Sequence, residues 1–139
     1  MKKINHFING QEYISKSDRF GDIFNPASGE KIGSVSFANK DDVALAIQNA
    51  SDAQKKWAAT PPLARSRVMF KFKELILRDM DKLALELTNE HGKILSDSVG
   101  SLTRGMEVVE FACGIPHLLK GEFSENVGTE IDSWSTRQP

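Results

Sequence analysis

Asn89-Glu90-His91-Gly92-Lys93-Ile94-Leu95-Ser96-Asp97-Ser98-Val99-Gly100-Ser101-Leu102-Thr103-Arg104-Gly105-Met106-Glu107-Val108-Val109-Glu110-Phe111 joins two long helical patterns through His91-Gly92-Lys93. In its second half Leu95, Val99, Leu102, Met106, Val109 and Cys113 recur at alternating steps of four and three. At about 100° per residue, that spacing keeps one apolar stripe on one side of a helix. Arg104 lies nine positions from both Leu95 and Cys113, so it projects from the opposite side, with Glu107 and Phe111 on the same face. One reading is a solvated arginine weakly paired with Glu107. The other is a carboxylate-binding arginine, because a planar guanidinium can hold two carboxylate oxygens through parallel hydrogen bonds. Position and residue type leave both open.

Towards the N-terminus, Val68, Phe72, Leu75, Ile76, Met80, Leu83 and Leu87 predict one long amphipathic helix, and Gly92 supplies its left-handed stop. Arg65, Arg67, Lys71, Lys73 and Arg78 give it a basic side, but Glu74, Asp79, Asp81 and Glu86 interrupt that side, which reads as solvated. Thr60-Pro61-Pro62 precedes this helix, with Thr60 as its expected cap and proline tolerated in its first turn. An earlier helix opens at Asn39, an expected N-cap with Asp41 and Asp42 in the first turn, and shows Val43, Ile47, Ala50, Gln54 and Trp57 along one face.

Before that helix the signals are for strands. Asn9-Gly10 between Phe7-Ile8 and Tyr13-Ile14 predicts a two-residue hairpin, since both turn residues tolerate positive φ. Asn25-Pro26-Ala27-Ser28-Gly29 predicts a turn between Ile23-Phe24 and a return strand through Ile32, Val35 and Phe37, although Ile32 breaks the alternation. Towards the C-terminus, Gly114 and Pro116 end or kink the third helix, and Gly121 and Gly128 bracket an expected loop. Thr129 to Thr136 then alternate as one strand running to Pro139, which reads as a strand cut in mid-pattern. The expected inventory is therefore N-terminal β-hairpins, three amphipathic helices and a final strand.

The 139 residues are 40% hydrophobic and 27% charged with a formal net charge of −1, an ordinary globular composition about one domain long. That balance predicts no nucleic-acid partner. No apolar run is long enough for a membrane span, and no leader is expected, so a cytoplasmic protein is the reading. A single cysteine excludes an internal disulfide, and His6, His91 and His117 sit in unrelated segments, so no metal site is expected. Dinucleotide, phosphate-loop, serine-elbow and zinc-protease motifs are all missing. Cys113 lies on the apolar stripe, where a thiol packs as a small hydrophobe and the thiolate needed for attack is disfavoured.

Phe7-Ile8-Asn9-Gly10, Asn25-Pro26-Ala27-Ser28-Gly29-Glu30, the helix ending at Trp57, Arg65-Ser66-Arg67-Val68-Met69-Phe70, Glu90-His91-Gly92-Lys93 and Arg104-Gly105-Met106-Glu107-Val108-Val109-Glu110-Phe111-Ala112-Cys113 together resemble the aldehyde dehydrogenase superfamily. Within it, the segment from Arg104 to Cys113 is most similar to the CoA-acylating methylmalonate-semialdehyde dehydrogenases of valine and myo-inositol breakdown. The resemblance spans the chain. It implies a truncated α/β fold of the aldehyde dehydrogenase type. Residues 1–122 would open the NAD-binding domain, without its Rossmann sheet, and residues 123–139 would form the first strand of the oligomerisation segment.

In the complete enzymes the resemblance implies NAD and coenzyme A as cosubstrates, a catalytic cysteine and a homotetramer. Neither that cysteine nor the NAD site falls within these residues, so no catalytic or cofactor-binding residue is expected here and the chain alone is expected to be inactive. Arg104 is the one residue the resemblance carries to a site, at the substrate carboxylate. A second expectation is a non-enzymatic helical module that pairs with a full-length aldehyde dehydrogenase through its last strand. Three amphipathic helices without a covering sheet also predict self-association or low folding cooperativity.

Overall fold

The computed structural model describes residues 2–138. The chain starts with β1 (Lys2–Ile4), β2 (His6–Ile8) and β3 (Gln11–Tyr13), followed by β4 (Phe20–Phe24) and β5 (Lys31–Ser36). Five helices follow: α1 (Lys40–Ala59), α2 (Pro62–Arg78), α3 (Met80–His91), α4 (Leu95–Cys113) and the single turn α5 (Ile115–Leu118). The described chain closes with β6 (Phe123–Gly128) and β7 (Ile131–Trp134).

The Asn9-Gly10 hairpin forms as the turn chemistry requires: φ is 55° at Asn9 and 77° at Gly10, and His6 faces Tyr13 across the antiparallel pair. The second pair, β4 with β5, is also antiparallel and turns through Asn25–Gly29. There the Asn25 side chain accepts the Ala27 N–H at 2.9 Å, and Gly29 leaves at φ 74°. Ile32 falls out of alternation for a structural reason. Ile23 pairs with Gly33 and Phe24 with Lys31, so a bulge passes over Ile32.

Three expectations need correction, and one strand was not expected at all. The residues before the first hairpin form β1, which joins β5 in parallel and gives a three-stranded sheet of order β1-β5-β4. Three residues show no alternation long enough to announce a strand. The long second helix is two helices that meet at Asp79, which sits at φ −104° and ψ 16°. Hydrogen bonds from Asp79 N–H to the Leu75 carbonyl and from Leu83 N–H to the Asp79 carbonyl bridge the break, so the apolar period passes through it without a visible stop. Thr60 ends α1 rather than capping α2: its hydroxyl donates to the Lys56 carbonyl, and α2 starts at Pro61-Pro62 with no side-chain cap.

The third correction lies at the C-terminal end. The expected loop from Gly121 to Gly128 contains strand β6, and the alternating segment after it is the second arm of an antiparallel hairpin. Strand β7 ends at Trp134, and Ser135 to Gln138 continue outside it. The expectation of a strand running to Pro139 falls partly outside the described residues.

The helical core gathers around α4. The α4 face carrying Val99, Leu102, Met106, Val109 and Cys113 is buried or half-buried, whereas Leu95 is exposed. Ala84 of α3 is fully buried, as is Ser98 of α4. Two polar links fix the packing. The Ser66 hydroxyl of α2 donates to the Cys113 carbonyl at 2.9 Å, and Thr88 of α3 shares a 2.8 Å hydroxyl hydrogen bond with Ser98. Elsewhere the surface is unusually apolar. Ile47 is 65% exposed, Phe111 66% and Trp134 72%. No described helix is long and apolar enough to cross a membrane.

Candidate functional site

Arg104 projects from the exposed side of α4, opposite Met106 and Cys113, as the helical spacing requires. Its expected partner Glu107 does not pair with it. One guanidinium N–H donates instead to the Ser101 hydroxyl, one turn back, at 3.2 Å. A second cation reaches the same oxygen: Lys93 Nζ donates to Ser101 Oγ at 2.6 Å. Lys93 gets there because Gly92 closes α3 in the left-handed conformation, φ 83°, and turns the chain back towards α4. A side chain at Gly92 would also crowd Pro26, whose Cγ lies 3.0 Å from where a Cβ would stand. The Asn25–Gly29 turn and the α3 end therefore meet at this glycine.

The sequence singled out Arg104 but not Lys93 or Ser101. The Gly92-Lys93 step was visible. What was not visible is that a left-handed glycine brings a side chain from eight residues upstream onto Ser101.

A second polar centre forms around Asp42, which is 2% exposed. It completes a capping box with Asn39: Asp42 N–H donates to the Asn39 side chain, and Asn39 N–H donates to Asp42 Oδ2. The Tyr13 hydroxyl donates to Oδ1 at 3.0 Å and the Ser15 hydroxyl to Oδ2 at 2.5 Å. The Ser15 hydroxyl above all, then the Asn39 N–H and the Tyr13 hydroxyl, hold the Asp42 carboxyl below the usual carboxylate range. The same hydrogen bond, before burial and the nearby negative charge, pushes the Tyr13 hydroxyl up. This centre locks the first hairpin to the start of α1. The Asn39-x-x-Asp42 spacing was its sequence signal.

Between α2, α4 and α5 a cleft of about 410 Å³ is lined in part by Leu63, Phe70, Lys73, Glu110, Cys113 and His117. Lys73 and Glu110 close one side with a 2.6 Å ion pair. Cys113 is 7% exposed, and its carbonyl is taken by Ser66, which fits the packing role read from its stripe. Among the described residues, no cluster of three or more His, Cys, Asp or Glu side chains could hold a metal ion. The parallel pair β1 and β5 is joined through two hairpin strands and β4, not by the Gly-rich turn and helix that cradle a pyrophosphate.

Residues 13–139 match the aldehyde dehydrogenase family. The chain is 42% identical over 139 residues to malonate-semialdehyde dehydrogenase of Pseudomonas aeruginosa, covering 100% of this chain and 28% of that protein. It is 42% identical over 137 residues to the mitochondrial acylating methylmalonate-semialdehyde dehydrogenase of Arabidopsis thaliana, covering 99% of this chain and 23% of that one. A crystal structure of a Sinorhizobium meliloti 1021 protein described as a methylmalonate-semialdehyde dehydrogenase, complexed with NAD, superposes with a TM-score of 0.95 at 48% identity. It covers 100% of this chain and 28% of that one. The chain thus spans less than a third of the length of the relatives it matches.

Proposed function

Since the chain belongs to the aldehyde dehydrogenase family, we propose that it supplies the substrate-carboxylate side of an NAD-dependent, CoA-acylating malonate- or methylmalonate-semialdehyde dehydrogenase. The observation that carries this reading is likeness to such enzymes along this chain, combined with an arginine on the exposed face of α4 that pairs with no carboxylate among the described residues. Arg104 would bind the carboxylate of the semialdehyde and so fix the position of its aldehyde carbon.

In the complete enzyme, bound NAD would supply the hydride acceptor and coenzyme A the acceptor for the acyl group. The nucleophilic thiolate and the dinucleotide cradle come from polypeptide outside these 139 residues. Cys113 does not serve as that thiolate, because it is buried against α2. Residues 1–122 stand as the opening of the NAD-binding domain and 123–139 as the start of the oligomerisation segment of a cytoplasmic homotetramer acting in valine or myo-inositol breakdown.

Grafting tests this reading. Replacing the matching N-terminal portion of the Pseudomonas aeruginosa enzyme with this chain is expected to give CoA-dependent NADH formation from methylmalonate semialdehyde, and the chain alone none. A folded graft without activity, or NADH formation by the isolated chain, would overturn it.

A further inference from the structure

Arg104 does not stand alone. Two cationic heads, Lys93 Nζ and the Arg104 guanidinium, converge on the one oxygen of Ser101, at 2.6 and 3.2 Å. Like charges held this close repel each other, and ordering two long side chains costs conformational entropy. Among the described residues, no carboxylate lies within 4.0 Å of either head to offset this. Ser101 accepts from both cations, which leaves its own hydroxyl proton free to donate. The arrangement offers an ammonium, a guanidinium and a hydroxyl at one point on the surface. An anionic group placed there would neutralise both charges and take all three donors.

We propose that Lys93, Ser101 and Arg104 form a single three-donor site for a carboxylate, and that Lys93 binds the substrate's carboxylate together with Arg104. The proposal rests on the carboxylate reading of Arg104 and extends it to two residues on which that reading makes no claim. Lys93 is half-buried and anchored behind the left-handed Gly92, so its ammonium is preplaced. The cost of ordering it is met before the ligand arrives.

The test is an NMR titration of the isotope-labelled 139-residue chain with sodium malonate, with sodium phosphate and sodium chloride at matched ionic strength as separate arms. Malonate is expected to shift the Lys93 side chain, the Arg104 Nε–H and the Ser101 amide together, along one saturable curve. Lys93→Met is expected to weaken that binding roughly three- to tenfold and Ser101→Ala by a smaller factor, with Lys93→Arg restoring most of the loss. If Arg104→Met weakens malonate binding and Lys93→Met does not, the three-donor site is overturned while the carboxylate role of Arg104 stands. Equal shifts with chloride, tighter binding of phosphate, or no saturable shift with malonate would each overturn the site. The Arg104 role is then judged separately by substrate discrimination in the grafted enzyme.

Discussion

Helices α2, α3 and α4 and helix α1 are built from similar sequence patterns, yet the chain treats them differently. In the first group the apolar stripes meet, and hydrogen bonds cross between elements: Ser66 to the Cys113 carbonyl and Thr88 with Ser98. Helix α1 is held chiefly at its start, where Asp42 gathers Asn39, Tyr13 and Ser15. Beyond that first turn its expected face stays in solvent, with Val43 50% and Ile47 65% exposed. A three-four repeat shows that a helix has a face to cover. It does not say whether the covering surface belongs to the same stretch of chain.

The contrast can be broken at several points. The largest effect is expected inside the helical group. Ala84 is fully buried in α3, so Ala84→Leu should overpack the contact with α4 and lower unfolding stability by about 1–3 kcal/mol in chemical denaturation. An unchanged denaturation midpoint would mean that α3 and α4 are not closely packed. Ser66→Ala is next. It leaves the buried Cys113 carbonyl without its donor and should cost about 1–2 kcal/mol.

The lock on α1 should show itself through pH. Because the folded Asp42 carboxyl titrates below its ordinary value of 3.8, its contribution is present at neutral pH. That contribution fades as the pH falls below about that value and is gone beneath the lowered one. Asp42→Asn should remove this acid-limb dependence and speed amide exchange in the first hairpin, with α3 and α4 little affected. Matching acid limbs in both proteins would contradict the lock. The smallest effect on stability is expected at the uncovered face. Ile47→Gln should leave the unfolding midpoint of the chain nearly unchanged while reducing its self-association in sedimentation. A clear loss of stability would show that this face is packed after all.

Where one residue type settles the geometry, the sequence was legible. Asn9-Gly10, the Asn39 cap and the Gly92 stop each follow from a backbone requirement, and the structure has all three. The α4 stripe was equally readable, including the side on which Arg104 stands. What escaped depended on partners far away in sequence or on very short pieces. Strand β1 is three residues long and exists by pairing with β5. The β6–β7 hairpin carries a bulge and non-glycine positive φ at Asn126 and Glu130, so neither the turn nor the register follows from the residue pattern. The break at Asp79 keeps its hydrogen bonds and hence its apolar period. Of the candidate site, Arg104 was visible because helical spacing separates it from the stripe. Lys93 was not, since only the folded turn at Gly92 brings it to Ser101.

Substrate discrimination in the grafted dehydrogenase tests the central claim most directly. Arg104→Ala should raise KM for methylmalonate semialdehyde at least tenfold more than KM for propanal, about 1.4 kcal/mol of selective binding. Equal changes in the two KM values would contradict the account, because an arginine that grips the carboxylate has nothing to hold in propanal.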